Sequence, residues 1–263
     1  MVYIIVILIG LVQGLAEFLP ISSSGHLAVL YDIFGIESNT LLLSIIMHIA
    51  TLAAVIIVYW NDILMLIKNP FCKTVKLLVT ATIPTIIIVL IFEIILGDIF
   101  GEDMVIWGFL ITAIVLLISD KASRNSSSYE SDICNLNLSY ANAIVIGIAQ
   151  GIATIPGISR SGSTIATGMI VGASKEDATK FSFLMSIPII IASFVYEILK
   201  GGFDLEFNSI QLFIGFIVAF ISGLCAIKFM ISYIKKKKLY IFSIYLLILV
   251  VILVLNKYVL YLW

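Results

Sequence analysis

Residues 7–25 read Ile-Leu-Ile-Gly-Leu-Val-Gln-Gly-Leu-Ala-Glu-Phe-Leu-Pro-Ile-Ser-Ser-Ser-Gly, and residues 144–162 read Ile-Val-Ile-Gly-Ile-Ala-Gln-Gly-Ile-Ala-Thr-Ile-Pro-Gly-Ile-Ser-Arg-Ser-Gly. Ten of the 19 positions are identical at a constant offset of 137 residues. The shared positions include Gln13/Gln150, Gly14/Gly151, Ser22/Ser159, Ser24/Ser161 and Gly25/Gly162. The chain therefore reads as two copies of one unit. The copies differ where chemistry resides: Glu17 aligns with Thr154, Ser23 with Arg160 and His26 with Ser163.

Each stretch is apolar at both ends and broken in the middle by Pro, Gly and Ser. Pro and Gly in series end helices, and Ser favours caps over helix interiors. Each half is about 12–15 residues, too short to cross a hydrocarbon core of roughly 30 Å. Residues 3–35 and 139–172 therefore read as re-entrant hairpins, with a polar turn at membrane depth. Backbone of this kind persists there only when protein buries it or a wet cavity adjoins it.

Composition sets the solvent. The 263 residues are 62% hydrophobic and 12% charged, with a mean hydropathy of +1.20. Soluble domains carry about 25% charge, so the solvent is lipid. Six further segments have the roughly 20 apolar residues a span needs: 40–60, 73–97, 104–119, 181–199, 209–232 and 239–261. No cleavable signal peptide is read at the start. Cys72, Cys134 and Cys225 have no metal-ligand spacing and read as reduced structural thiols.

These readings predict an all-α integral membrane protein: six transmembrane helices plus two re-entrant helix hairpins, arranged as an inverted-topology repeat. Residues 1–120 form the first repeat, 121–138 a cytoplasmic linker, and 139–263 the second repeat. A hairpin returns to its own side and three spans cross, so the second repeat inserts upside down. On this count Lys68, Lys73, Lys76, Lys121, Arg124, Lys175, Lys180, Lys228 and Lys235 to Lys238 share one face. Lys200 and Lys257 fall on the other, with Asp98, Glu102, Asp103, Asp204 and Glu206. The Lys/Arg-rich face is expected in the cytoplasm, and the run Lys235 to Lys238 is expected to anchor at headgroups.

Arg160 is the sharpest candidate for function. A charged side chain at membrane depth costs several kcal/mol and marks a working site. A planar guanidinium flanked by Ser159, Ser161, Ser163 and Thr164 suits phosphate oxygens. Gly162 allows close backbone approach, and a helix expected to begin near Ser163 aims its positive end at the same anion. Glu17 lies one turn after Gln13 on the same helical face. Its carboxylate either holds a metal, acts as acid or base, or pairs with Arg160. Gln13 either orients the site, offers its carbonyl oxygen to a metal, or makes a packing contact. Ser22, Ser23, Ser24 and His26 form the first tip. His26 is a general acid/base or nucleophile candidate, Ser23 is a hydroxyl nucleophile candidate, and at least one serine is expected to cap a helix. His48 is read as a hydrogen-bonded structural histidine. Asp32, Glu93 and Glu197 are read as interfacial.

Gln13-x-x-x-Glu17-Phe-Leu-Pro-Ile-Ser-Ser-Ser-Gly-His26 resembles the first signature of bacterial undecaprenyl-diphosphate phosphatases, and Pro156-Gly-Ile-Ser-Arg-Ser-Gly-Ser-Thr164 resembles the second. The resemblance covers essentially the whole chain. It implies hydrolysis of undecaprenyl diphosphate to the monophosphate and inorganic phosphate, recycling the cell-wall lipid carrier. It further implies a multi-pass plasma-membrane enzyme, often a homodimer, whose active site opens to the extracytoplasmic side. Glu17, His26, Ser159, Arg160 and Thr164 are the implied active-site positions, with Ser23 a further candidate. A divalent cation, Mg²⁺ or Ca²⁺, is also implied; Gln13 stands where many members have Glu, though Gln also occurs there, and if a second carboxylate is essential for metal this chain binds it more weakly. No nucleic-acid partner is expected. A carrier of phosphorylated lipid and an intramembrane serine protease are the rival readings.

Overall fold

The computed structural model describes residues 2–36, 40–96, 102–122, 132–200 and 207–260. Eleven α-helices occupy these residues, and six are long and apolar enough to cross a membrane. The first repeat holds α1 (Val2–Phe18), α2 (Ser23–Ile33), α3 (Leu41–Val58), α4 (Trp60–Lys68), α5 (Lys73–Leu96) and α6 (Glu102–Ala122). The second holds α7 (Tyr140–Ile152), α8 (Arg160–Ile170), α9 (Lys175–Lys200), α10 (Ser209–Lys236) and α11 (Tyr240–Leu255). All six expected spans are helices. The third runs from Asp103 to Ala122, longer than the apolar run alone defines. The short amphipathic α4 was not expected. The charges of Asp98, Arg124, Asp204 and Glu206, linker residues 123–131, and the side chains of Glu102 and Lys200 lie outside the described residues.

The two broken stretches form helix–turn–helix pairs whose outer ends meet. Asn142 Nδ2 near the start of α7 donates to the Val171 carbonyl just past α8 at 3.2 Å. Val6 and Ile9 of α1 share an apolar cluster with Leu27 and the flanking Leu30 and Tyr31 of α2. Each chain thus leaves at the end where it entered.

Helices also pair across the halves. α1 packs on α10, and α7 packs on α5. One hydroxyl stands at each crossing: Thr85 Oγ1 donates to the Gly147 carbonyl at 2.8 Å, and Ser222 Oγ lies 3.3 Å from the Gly10 carbonyl, with the Val218 carbonyl of its own helix nearer at 2.8 Å. Thr85/Ser222 and Gly10/Gly147 are related by the same offset as the two quoted stretches.

Loop contacts sort the span ends. Asp120 accepts from the backbone of Leu239 and Tyr240, Lys175 Nζ donates to the Lys237 carbonyl, and Lys180 pairs with Asp62 at 3.4 Å. These contacts gather the Lys-rich ends of α4, α6, α9 and α10. At the far end Lys257 pairs with Asp103 at 2.7 Å.

The α5–α7 crossing has no room for a side chain. A Cβ on Gly147 would lie 2.1 Å from the Ala81 carbonyl oxygen, which is backbone and cannot step aside. Gly147→Ala is therefore expected to cost about 1–3 kcal/mol, the range for overpacking. Its lipid-facing neighbour supplies the control: Ile148→Ala should leave the melting temperature in detergent nearly unchanged.

Candidate active site

Both breaks end in the same N-cap. Ser22 Oγ accepts from the Gly25 amide at 3.2 Å, opening α2, and Ser159 Oγ accepts from the Gly162 amide at 3.0 Å, opening α8. This satisfies an amide that a helix start leaves without a partner. Helix α8 begins at Arg160, three residues before the start expected at Ser163. Arg160 therefore occupies the first helical position, where the dipole favours an anion.

The two tips touch. Ser161 Oγ donates to the Leu19 carbonyl at 3.0 Å. Ser159 N–H donates to Thr112 Oγ1 of α6 at 3.0 Å, and that hydroxyl donates to the Gly108 carbonyl. Thr112 was missed from the sequence, because a Thr bonding back to its own helix is common in apolar spans.

Across this contact Arg160 Nη2 is hydrogen-bonded to Glu17 Oε1. The Glu17 side chain is 5% exposed and that of Arg160 19%. Glu17 Oε2 accepts from Ser23 Oγ at 2.6 Å and from Gln13 Nε2 at 3.1 Å. Arg160 Nη1 is buried and has no hydrogen-bond partner among the described residues. A buried donor left unpaired costs about 1–3 kcal/mol, more when charged.

Glu17, Ser23, Ser159, Arg160 and Thr154 line a cavity of about 330 Å³, with Ser24, Ser44, His48, Ser193 and Glu197. That is the small end of the ligand-pocket range, roughly 300–1,000 Å³. Its walls follow α3 from Leu41 to Ile49 and α9 from Glu197 back to Ile189. At 1.5 Å per residue the cavity reaches about 12 Å inward from those helix ends. His48, expected as a hydrogen-bonded structural histidine, and Glu197, expected at the interface, also stand in its wall. The signal for His48 was its isolation: one imidazole in an otherwise apolar span.

Other candidates are placed elsewhere. His26 does not line this cavity. Its Nδ1 donates to the Ser22 carbonyl at 2.7 Å and its Nε2 accepts from Tyr245 Oη at 2.7 Å, with the two rings stacked. Thr164 Oγ1 lies 2.6 Å from Ser182 Oγ, in the α8–α9 contact. Ser22 and Ser161 serve the tips, and a Cβ added at Gly162 would lie 3.0 Å from the Ser159 side chain and 3.2 Å from Pro20 Cβ.

The residues present do not form a cage for Mg²⁺ or Ca²⁺. Such ions take six or more oxygens. Both Glu17 oxygens face protein donors, and Gln13 turns its NH₂ group toward the carboxylate. Among the described residues no three His, Cys, Asp or Glu side chains converge on one point.

The fold and this site define a multi-pass membrane protein with an arginine–hydroxyl cradle between two broken helices. The family model for the bacitracin resistance protein BacA matches residues 6–252, and the chain belongs to that family. An undecaprenyl-diphosphatase of Alkaliphilus metalliredigens (strain QYMF) is 40% identical, with 91% of this chain and 93% of that protein covered. One of Carboxydothermus hydrogenoformans is 39% identical, with 95% and 96% covered. One of Thermosipho africanus (strain TCF52B) is 39% identical, with 94% and 97% covered.

Thr112→Val keeps the shape of the side chain but strands the buried Ser159 N–H. It is expected to cost about 1–3 kcal/mol, read as a lower melting temperature in detergent, and Thr112→Ser should recover the loss. Gln13→Glu sets two carboxylates side by side, an arrangement that gathers cations. Calorimetric titration should find tighter Mg²⁺ or Ca²⁺ binding in that variant than in the parent protein.

Proposed function

We propose that this protein hydrolyses undecaprenyl diphosphate to undecaprenyl phosphate and inorganic phosphate at the outer face of the plasma membrane. The observation that carries the reading is the Ser23–Glu17–Arg160 chain in the cavity wall, whose guanidinium keeps a second nitrogen without a hydrogen-bond partner among the described residues. The curated names of the relatives support the substrate class.

In this mechanism the lipid tail stays in the bilayer and the diphosphate enters the cavity. A phosphate oxygen accepts from the Arg160 guanidinium while Nη2 keeps Glu17 in place. The α8 N-terminus and the Ser24 hydroxyl add further positive potential and donors. Ser23 Oγ attacks the terminal phosphorus and its proton passes to Glu17 Oε2. The bond from that phosphorus to the bridging oxygen breaks, and the lipid monophosphate leaves with the proton. Glu17 then takes a proton from water, the resulting hydroxide attacks the phosphoserine, and the P–Oγ bond breaks. The proton returns to Ser23 and inorganic phosphate departs. Phosphoryl transfer is catalysed chiefly by positioning and charge stabilisation, which these groups supply. His26 holds the tip against α11 in this reading; it neither attacks nor activates water.

Orientation follows from charge. The cavity opens at the Leu41 and Glu197 ends of α3 and α9, away from the Lys-rich ends. Lys and Arg gather on the cytoplasmic side, so the mouth faces out. The inverted arrangement of the two repeats is supported by the exchanged α1–α10 and α7–α5 pairs with their matching hydroxyl bonds.

Purified protein in detergent, where no second compartment exists, is expected to release phosphate from a C55 diphosphate. Arg160→Ala should lower release at least a thousandfold and Ser23→Ala comparably, in line with losses on removing one oxyanion donor or a nucleophile. Normal turnover in Arg160→Ala would remove the site assignment. Uptake into vesicles without hydrolysis would instead make the protein a carrier.

A further inference from the structure

The chemistry above leaves His48 unused, although it stands in the cavity wall beside Glu17, Ser23 and Arg160. Its hydrogen-bond geometry fixes where its proton sits. Glu17 is an acceptor only when ionised, so the Gln13 atom facing Glu17 Oε2 at 3.1 Å is the amide nitrogen. Turning the amide over would point oxygen at a carboxylate. The same Nε2 lies 3.0 Å from His48 Nδ1. The two hydrogens of one NH₂ group thus serve two acceptors, Glu17 and His48. Nδ1 accepts, and the neutral ring carries its proton on Nε2.

The ring edge at Nδ1 is taken up by Gln13, which is 1% exposed. The side chain as a whole is 41% exposed. Nε2–H is therefore the donor left for a ligand. His48 Nδ1 also lies 3.7 Å from Glu17 Oε1, so the imidazole, the carboxylate and the guanidinium sit in one cluster.

We propose that His48 is a substrate-binding group of this site: its Nε2–H donates to a non-bridging oxygen of the diphosphate, and Gln13 holds it in that tautomer. The proposal rests on the phosphatase reading and adds a residue and a pH response to it. Acid places a proton on Nδ1 and sets two donors face to face. Gln13 must then release either His48 or Glu17, and the cluster comes apart. Among the described residues, the other charged and titratable groups lining the same cavity are Glu17 of α1, Arg160 of α8 and Glu197 of α9. α2 contributes only the hydroxyls of Ser23 and Ser24 to its walls, and α10 contributes none of the lining residues.

Two measurements test the proposal. The first is imidazole ¹⁵N chemical shifts of the full-length protein in detergent, which need no turnover. His48 is expected as the Nε2–H tautomer at neutral pH, and Gln13→Leu should release it to a mixture; an Nδ1–H tautomer in the parent protein overturns the proposal. The second is phosphate release from a C55 diphosphate across pH. His48→Ala is expected to lower kcat/KM about ten- to a hundredfold, the size of one hydrogen bond to a charged group. The loss should fall mainly on KM. His48→Gln keeps an N–H near the same reach and cannot titrate. It should recover most of the loss and flatten the acid limb of the profile. A merely structural histidine predicts a lower melting temperature with the acid limb unchanged, and that result also overturns the proposal. Absence of phosphate release from the parent protein would defeat the phosphatase reading while leaving the tautomer result standing.

Discussion

The hydrogen bond between Arg160 and Glu17 is the constraint on which the rest depends. Each charge sits on a break that its own repeat cannot satisfy. Removing one partner from a buried pair leaves an uncompensated charge and costs roughly 3–5 kcal/mol. The carboxylate on α1 therefore requires the α7–α8 tip to come to it, and the guanidinium at the start of α8 requires the α1–α2 tip. The remaining tip contacts follow that demand. Ser161 reaches the Leu19 carbonyl, and Thr112 takes the Ser159 amide. A pair of this kind is poor evidence for net stability, since apolar residues of the same volume often serve as well. Its retention in an apolar chain is better explained by chemistry that needs both signs of charge.

The frame around this pair is symmetric, and the reactive groups are not. Ser22 and Ser159 cap equivalent helices through equivalent amides. Gln13 and Gln150 occupy equivalent places, yet Gln13 bridges Glu17 and His48 while Gln150 meets Thr85 at 3.4 Å. Thr154, the counterpart of Glu17, turns its hydroxyl back onto the Gly151 carbonyl at 2.8 Å. The two interrupted helix pairs fit one another. Differences at two aligned positions, 17/154 and 23/160, put a carboxylate and a hydroxyl on one tip and a guanidinium on the other.

Spans and breaks were legible in the sequence because they depend on local chain chemistry. Twenty apolar residues, or Pro and Gly followed by Ser, carry their meaning wherever the chain goes. The direction of a side chain from a tip does not. His26 was expected in the reaction centre beside Ser23. The group that engages its ring, Tyr245, lies 219 residues away on a helix whose docking no local pattern encodes. His48 has the opposite history. It reads as a hydrogen-bonded structural residue, and its bond to Gln13 is present, but its place in the cavity wall depends on how α1, α8 and α9 meet. The start of α8 was misplaced by three residues because Arg160 was read as part of the turn, whereas the Ser159 cap already commits it to the helix.

The first tip also holds backbone strain that the second avoids. Ser22 has φ of 71°, the one positive value among described residues other than glycine. Such a conformation costs of order 1–3 kcal/mol. At the second break the positive φ falls on Gly157, where there is no Cβ to strain. A glycine at position 22 would relieve the first tip but remove the hydroxyl that caps α2 at Gly25. Losing that cap would free the first turn of α2, which carries Ser23, and so loosen its 2.6 Å bond to Glu17. The strained serine is thus the residue that satisfies both demands at once: a turn tight enough to bring the chain back, and a helix start firm enough to aim one hydroxyl at one carboxylate.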